Sequence, residues 1–481
     1  MKNTSHLIAL IILILIMMAC QNNSKKLGQL EKPNILFLFT DDQRYNTVNA
    51  LGNEGVVTPN MDKLSQSGVT FTHSYNMGAW HGAVCVASRA MLNTGLSVWR
   101  ARDAESRFSE LVANRQFWAQ RMKDLGYETY FSGKWHVKAD AQELFDNVVH
   151  VRPGMPNQTP AGYHRPRSIS DSTWLPWDTI HGGFWKGGKH WSEVLADDAI
   201  NFLEQAAEKE KPFFMYLAFN APHDPRQSPK EFVDMYPIES QKLPESFIPE
   251  YPFKDSIGCS RNLRDEALAP FPRTEYAVKV NQLEYFALIS HTDVQFGRIL
   301  DALEKTGKSE ETYVLYTADH GLAVGYNGLI GKQNMFDHSV RVPLILTGPG
   351  IPENAKRDQQ VYLQDVFPTV IELAGGTAIK SNEFQSLLPM IRKSSESSKY
   401  DAIYGCYMNL QRMVRTEKYK LIVYPKIQEL LLFDMVNDPL EMSDLSDDPA
   451  YAEILTEMKE KLTDQQLIMN DPLDLSEILG E

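Results

Sequence analysis

Short apolar runs recur along the chain, separated by longer mixed segments. NILFLF (34–39), YETYFS (127–132), FFMYLAF (213–219), YVLYT (313–317) and VPLILT (342–347) are the clearest. Their hydrophobicity is continuous rather than alternating, the pattern of strands covered on both faces. It predicts a mostly parallel central sheet in an α/β sandwich. The stretches 191–208 and 282–305 read as helices packed on that sheet. A polar interval over 381–400, with RKSSESSKY, interrupts the pattern. Beyond it, YDAIYGCYM, QRMVRTEKYKLIVY and ELLLFDMVNDPLEMSDL read as antiparallel strands joined by turns, then a helix over about 449–469. The expected organisation is a larger α/β domain over 32–385 and a small α+β subdomain over 386–481.

With 481 residues, 43% of them hydrophobic, the chain can bury a large core and form more than one domain. The net charge of -14 and the lack of a long basic stripe give no footing for nucleic acid. An anionic substrate would have to be drawn by a local cluster of cations. At the start, Lys2 precedes an apolar run over 7–18 that is too short to span a bilayer, and Ala19-Cys20 follows. This resembles a bacterial lipoprotein processing site, with Met17 where Leu is usual. The expectation is a signal peptide over 1–19, a lipidated Cys20 anchoring the chain to a membrane, a polar tether over 20–31, and export to a bacterial cell envelope, at the outer-membrane surface or in the periplasm. Three other cysteines remain, Cys85, Cys259 and Cys406, too few and too odd in number for a disulfide framework. A Cys259–Cys406 pair is left open.

The chemistry gathers where the apolar runs end. NILFLFT ends in Asp41-Asp42, YETYFSG in Lys134-Trp135-His136, FFMYLAFNAP in His223, and YVLYTA in Asp319-His320. In open α/β sheets ligands bind outside the carboxyl ends of the strands. Each piece alone has a plain reading. Asp41-Asp42 can cap a helix, Asp319-His320-Gly321 is an ordinary strand-to-turn junction, the histidines fit any loop, and Lys134 and Lys332 can be solvated. Their joint placement argues for one site. Three carboxylates and an imidazole suggest a divalent cation, and oxygen ligands favour Ca²⁺, then Mg²⁺, over zinc. With Arg89, Lys134 and Lys332 beside it, such an ion would hold a tetrahedral oxyanion. Cys85 lies in GAVCVASRAMLNTG (82–95). At this point it is equally a buried structural thiol, a thiolate nucleophile, or a precursor converted into something else.

CVASRAMLNTG is similar to the signature of the formylglycine-dependent (type I) sulfatases, Cys-x-Pro/Ala-Ser-Arg followed by Thr-Gly. NILFLFTDDQ, GKWH, APH, TADHG, GKQNMFDHSVRVPLI and LLFDMVNDPLEMSDL resemble that family's other blocks in their usual order, across residues 32 to 470. The resemblance implies an alkaline-phosphatase-like sandwich with a small C-terminal sheet. It implies that a formylglycine-generating maturation enzyme reads Ser88 and Arg89 and oxidises Cys85 to formylglycine (3-oxoalanine), whose hydrate attacks sulfur to give a covalent sulfate ester. Ala87 stands where the commonest motif has Pro. By the same resemblance one Ca²⁺ per chain is held by Asp41, Asp42, Asp319 and His320 beside the modified Cys85, with His320 standing where many relatives carry Asn. His223 becomes the acid on the leaving oxygen, His136 the base that expels sulfate, and Lys134, Lys332 and Arg89 the neutralising cations.

The connection over 150–192 is long and rich in aromatic and basic residues. Trp174, Trp177 and Trp185 are candidates to stack on sugar rings, and His164, Arg165 and Arg167 to meet sulfates or uronic carboxylates. Each is equally a residue packing the loop onto its domain. Export favours a sulfated polysaccharide or its oligosaccharides, algal glycans such as ulvan or carrageenan ahead of host glycosaminoglycans. Two rival readings stand: a phosphate or phosphonate monoester hydrolase of the same superfamily, and a non-catalytic surface glycan-binding lipoprotein in which Cys85 is never matured.

Overall fold

The apolar runs become the inner strands of one large sheet. A computed structural model describes residues 32–52, 55–154, 160–185, 188–224, 226–377 and 379–480, so the expected signal peptide, lipidated Cys20 and tether lie outside the described residues. Its strands are β1 (Asn34–Thr40), β2 (Gly68–Tyr75), β3 (Gly78–Ala79), β4 (Glu128–Lys134), β5 (Asn147–Arg152), β6 (Phe213–Ala218), β7 (Thr312–Ala318), β8 (Arg341–Val342), β9 (Leu344–Thr347), β10 (Ala355–Tyr362), β11 (Ile403–Tyr407), β12 (Gln411–Arg415), β13 (Tyr419–Tyr424) and β14 (Glu429–Asp434). The large sheet has the order β10-β2-β9-β7-β1-β6-β4-β5, with β8 beside β2. β1 pairs in parallel with β6 and β7, and β4 with β5 and β6. The VPLILT run departs from this direction, because β9 runs antiparallel to both β2 and β7.

Four longer helices matter for the site: α1 (Val84–Thr94), α2 (Trp191–Ala207), α3 (Glu275–Lys305) and α4 (Ala452–Met469). Both faces of the sheet are covered, which is why its strands need no polar side. Phe37, Phe39, Phe131 and Tyr216 pack with Trp118 and Phe367 on one face. Leu36, Leu38, Met215 and Leu217 pack on the other with Phe202 of α2 and with Phe296 and Ile299 of α3. Each such side chain contributes about 1.5–3 kcal/mol on burial. α3 begins seven residues before the 282 expected from the apolar pattern; Thr274 caps it, its Oγ1 accepting from Ala277 N at 3.1 Å.

β11 to β14 form an antiparallel meander, and β3 joins its edge in parallel with β11. Gly78 in β3 has φ 85°, and a Cβ there would lie 1.9 Å from Cys406 O, so only glycine fits this close approach. The small sheet thereby grips the segment that leads into α1. α4 packs on it, and the buried Lys420 Nζ binds both Asp337 Oδ1 (2.9 Å) and Glu441 Oε1 (2.6 Å). Asp337 lies five residues beyond Lys332, so this ionic contact ties the small sheet to a loop of the site. The segment around 388–392 packs, through Leu387, Leu388, Met390 and Ile391, in the core of the large sheet. Cys259 and Cys406 are both free, buried thiols, which closes the question of their pairing.

Candidate active site

β1 runs directly into Asp41 and Asp42. Asp42 adopts a left-handed φ of 67°, and Tyr285 of α3 holds that turn: its hydroxyl donates to Asp42 O (2.6 Å) and accepts from Arg44 N (2.9 Å). The turn sends the two carboxylates to different cations. Asp41 Oδ2 accepts from Lys134 Nζ at the end of β4, while Lys332 Nζ lies 2.8 Å from each oxygen of Asp42. Asp319 follows β7; its Oδ1 accepts from Asp42 N (3.1 Å) and its Oδ2 from Arg89 Nε (3.0 Å). Adjacent parallel strands thus deliver their terminal charges to one edge, as the sequence pattern implied.

Cys85 sits in the first turn of α1, where backbone N–H groups and the helix dipole favour negative charge. Gly95 ends that helix at φ 72°, its N–H closing on Met91 O at 2.8 Å, which accounts locally for the Thr-Gly of the motif. Ser88 Oγ donates to Asp319 O (2.8 Å) and Arg89 Nη1 to Lys134 O (2.5 Å). These two residues therefore fasten α1 to the strand ends. Cys85 Sγ lies 3.3 Å from His320 Nε2, 3.4 Å from Lys332 Nζ and 3.9 Å from Asp42 Oδ1, and His136 stands beside it. His136 lies against Gly154, where a Cβ would come within 2.2 Å of the ring. His223 Nδ1 is held by Asp224, 2.9 Å from its Oδ1 and 2.8 Å from its carbonyl oxygen. That leaves Nε2 facing Asp42 Oδ2 (3.7 Å) and Arg264 Nη2 (3.5 Å).

The electrostatics separate the roles. Burial alone would raise the Cys85 thiol, but Lys134, Lys332 and His320 outweigh it and hold it well below its usual value. Burial opposes a charge on His223, yet Asp42 and Asp224 prevail and raise it to about 10, so it is a proton donor at neutral pH. Burial and then Asp319 push the Asp41 carboxyl up. Ligand atoms of Asp41, Cys85, Asp319 and His320 lie within 4.8 Å of one another, as do those of Asp41, Asp42, Cys85 and His223. Asp41 Oδ1 is buried with no hydrogen-bond donor among the described residues. Crowded carboxylates with an acceptor left over are the donor set of a hard cation, and Asp41, Asp42, Asp319 and His320 would hold it.

The expected sugar contacts divide. Arg165 is a correction: it is buried, and its guanidinium is committed in bidentate fashion to Glu284 of α3, Nη1 to Oε1 at 2.6 Å and Nη2 to Oε2. Trp174 is another, buried between the Arg165 guanidinium (4.7 Å) and the stacked ring of His181 (5.0 Å). Both pack the loop on the domain. His164 and Arg167 are exposed, Trp177 is half-buried under Lys230, and Trp185 leans on Trp191. The loop nevertheless borders the site, because Tyr163 OH donates to Asp224 Oδ2 (3.2 Å). Sequence reasoning missed Asp224, which stands next to His223, and Arg264, which pairs with Asp265 (2.6 Å) beside it and which no local motif marks.

A parallel sheet whose strand ends surround a buried cysteine with carboxylates, lysines and histidines is the architecture of an α/β enzyme with its site at the carboxyl edge of the sheet. The chain belongs to the sulfatase family. Residues 33–376 match the family model Sulfatase, and residues 325–467 match the model for the C-terminal region of N-sulphoglucosamine sulphohydrolase. The chain is 28% identical over 450 residues to a sulfatase of Formosa agariphila, covering 88% of this chain and 85% of that one. It is 26% identical to an N-acetylglucosamine-6-O-sulfatase of Bacteroides thetaiotaomicron, covering 100% of this chain and 94% of that one. A structure solved with its substrate D-glucosamine-2-N,6-O-disulfate superposes with a TM-score of 0.72 at 23% identity, covering 92% of this chain and 99% of that chain. The fold is the alkaline-phosphatase-like sandwich that the motifs implied.

Proposed function

We propose that this chain is an exported, lipid-anchored sulfuric ester hydrolase that removes sulfate from a sulfated polysaccharide or its oligosaccharides, using formylglycine made from Cys85 and one Ca²⁺. The observation that carries the reading is the surrounding of Cys85 Sγ, with His320 at 3.3 Å, Lys332 at 3.4 Å and Asp42 at 3.9 Å. A structural cysteine has no use for that company. When present, the cation would supply a Lewis acid at the sulfate oxygens and the formylglycine a nucleophilic hydroxyl. The chain's own residues do the rest. Lys134 and Lys332 supply fixed positive charge at the reacting centre, and Arg89 braces Asp319 and α1. His223, locked by Asp224, donates its Nε2 proton to the leaving oxygen. His136, beside the Cys85 side chain, removes a proton there.

Export rests on the pattern of residues 1–20, and algal glycans such as ulvan or carrageenan are the first substrates to screen on that ground. The N-acetylglucosamine-6-O-sulfatase relative sets amino-sugar sulfates beside them. The test is a pair of assays on protein produced with a formylglycine-generating enzyme, using 4-nitrophenyl sulfate and 4-nitrophenyl phosphate, followed by the sulfated sugars. Sulfate hydrolysis is expected to exceed phosphate hydrolysis by about 10-fold or more in kcat/KM. A reversed preference overturns the reading in favour of a phosphate monoester hydrolase.

A further inference from the structure

Arg264 stands beside the leaving-group acid. It belongs to the loop that follows Cys259, its side chain is 30% exposed, and its Nη2 lies 3.5 Å from His223 Nε2. That loop is tied to the one that carries Lys332. Glu266 accepts from Gly331 N at Oε1 (2.8 Å) and from Ile330 N at Oε2 (3.0 Å), and Arg273 pairs with it at 2.5 Å. Asp265 is buried; its Oδ2 accepts from Gln333 Nε2 (2.8 Å) and lies 3.7 Å from Lys332 Nζ. Its Oδ1 receives Arg264 side-on, from Nε at 2.9 Å and from Nη2 at 2.6 Å. Asp265 therefore sets the place of the Arg264 guanidinium relative to Lys332.

The side-on pairing occupies one edge of the planar fork, with one hydrogen of Nε and one of Nη2. The second hydrogen of Nη2 and those of Nη1 point away from Asp265, and Nη1 makes no hydrogen bond or ion pair among the described residues. Two cationic donors this close repel each other unless carboxylates offset them. Asp224 does so from one side, 2.9 Å from His223 Nδ1 and 3.8 Å from Arg264 Nη2, and Asp265 from the other. With the two nitrogens 3.5 Å apart, one oxygen can accept from His223 Nε2 and from Arg264 Nη2 together.

We propose that Arg264 is a second donor on the leaving-group side: its Nη2 hydrogen-bonds the ester oxygen that His223 protonates. As the bond from the nucleophilic oxygen to sulfur forms and the bond from sulfur to the leaving oxygen breaks, the electron pair stays on the leaving oxygen. The proton comes from His223 Nε2. Arg264 keeps its own protons and stabilises the charge on that oxygen until the transfer is complete. The inference rests on the sulfatase reading for the group transferred.

A leaving-group series tests it: 4-nitrophenyl, phenyl and 4-methoxyphenyl sulfates and the matching phosphates, with the matured full chain and its Arg264→Gln variant, each with and without His223→Ala. Arg264→Gln is expected to lower kcat by about 3-fold on the 4-nitrophenyl ester and about 30-fold on the 4-methoxyphenyl ester, whose leaving oxygen is more basic and carries more charge. KM is expected to change by less than about 3-fold. With His223→Ala the loss on the 4-methoxyphenyl ester persists, because Arg264 is then the remaining donor. An equal loss along the series, as a disturbance of Lys332 through Asp265 would cause, overturns the proposal. So does a loss that disappears once His223 is removed, which would make Arg264 a support of the histidine rather than a contact of the substrate. Turnover of the phosphates alone would remove the sulfatase reading, and the same dependence on the leaving group there would leave the second donor standing.

Discussion

Cys85→Ala lowers sulfate-ester hydrolysis by about 10⁶-fold, to the background rate, and leaves the fold intact. The size of the effect follows from what surrounds the residue. Around Cys85, Asp41 and Asp42 are committed to Lys134 and Lys332, Asp319 to Arg89, and His320 Nδ1 to Gly321 O at 2.8 Å. None is both nucleophilic and free to form a bond to sulfur, so no residue replaces it. The fold survives because alanine is the best helix former and the change removes a single buried sulfur atom, at a cost of about 1 kcal/mol. Sulfate release by ion chromatography, read beside a thermal melt, measures both halves. Residual hydrolysis within about 100-fold of the parent protein places the nucleophile elsewhere.

His223→Ala slows hydrolysis by an amount that depends on the leaving group. On sugar sulfates, whose leaving alkoxide must be protonated, the loss is about 10³-fold. On 4-nitrophenyl sulfate, whose leaving phenolate is stable unprotonated, it is about 10-fold or less. The geometry behind this is specific. Asp224 occupies Nδ1 at 2.9 Å, the ring is buried, and Asp42 and Asp224 keep it protonated at neutral pH, its value raised to about 10. The nitrogen left to act is Nε2, with Arg264 only 3.5 Å away. Asp224→Asn would loosen the ring without removing it and is expected to show the same leaving-group signature in weaker form. Equal losses on both substrates would make His223 a binding residue and move the acid to another position.

The strand ends of the site were legible because the signal is local. A buried parallel strand is written as an unbroken apolar run, and the charge that ends the run stands where the ligand binds, as Asp41, Lys134 and Asp319 do. Direction is not written in the same code. Continuous hydrophobicity reports burial on two faces and says nothing of parallel or antiparallel pairing, so β9 gave no warning that it runs against its neighbours. β10, AKRDQQVY, escaped notice because an edge strand need not be apolar. In the long loop, composition identified cations and aromatics but not which of them were already paired. Arg165 finds its carboxylate 119 residues away, on α3. Arg152, at the edge of the same loop, finds none among the described residues, and only the folded chain distinguishes the two.

The most direct test of the account is the mass of the peptide containing Cys85, taken from protein that hydrolyses sulfate esters. The account predicts a species about 18 Da lighter than the cysteine form, with an occupancy that scales with specific activity. An unmodified Cys85 thiol throughout a fully active sample contradicts it.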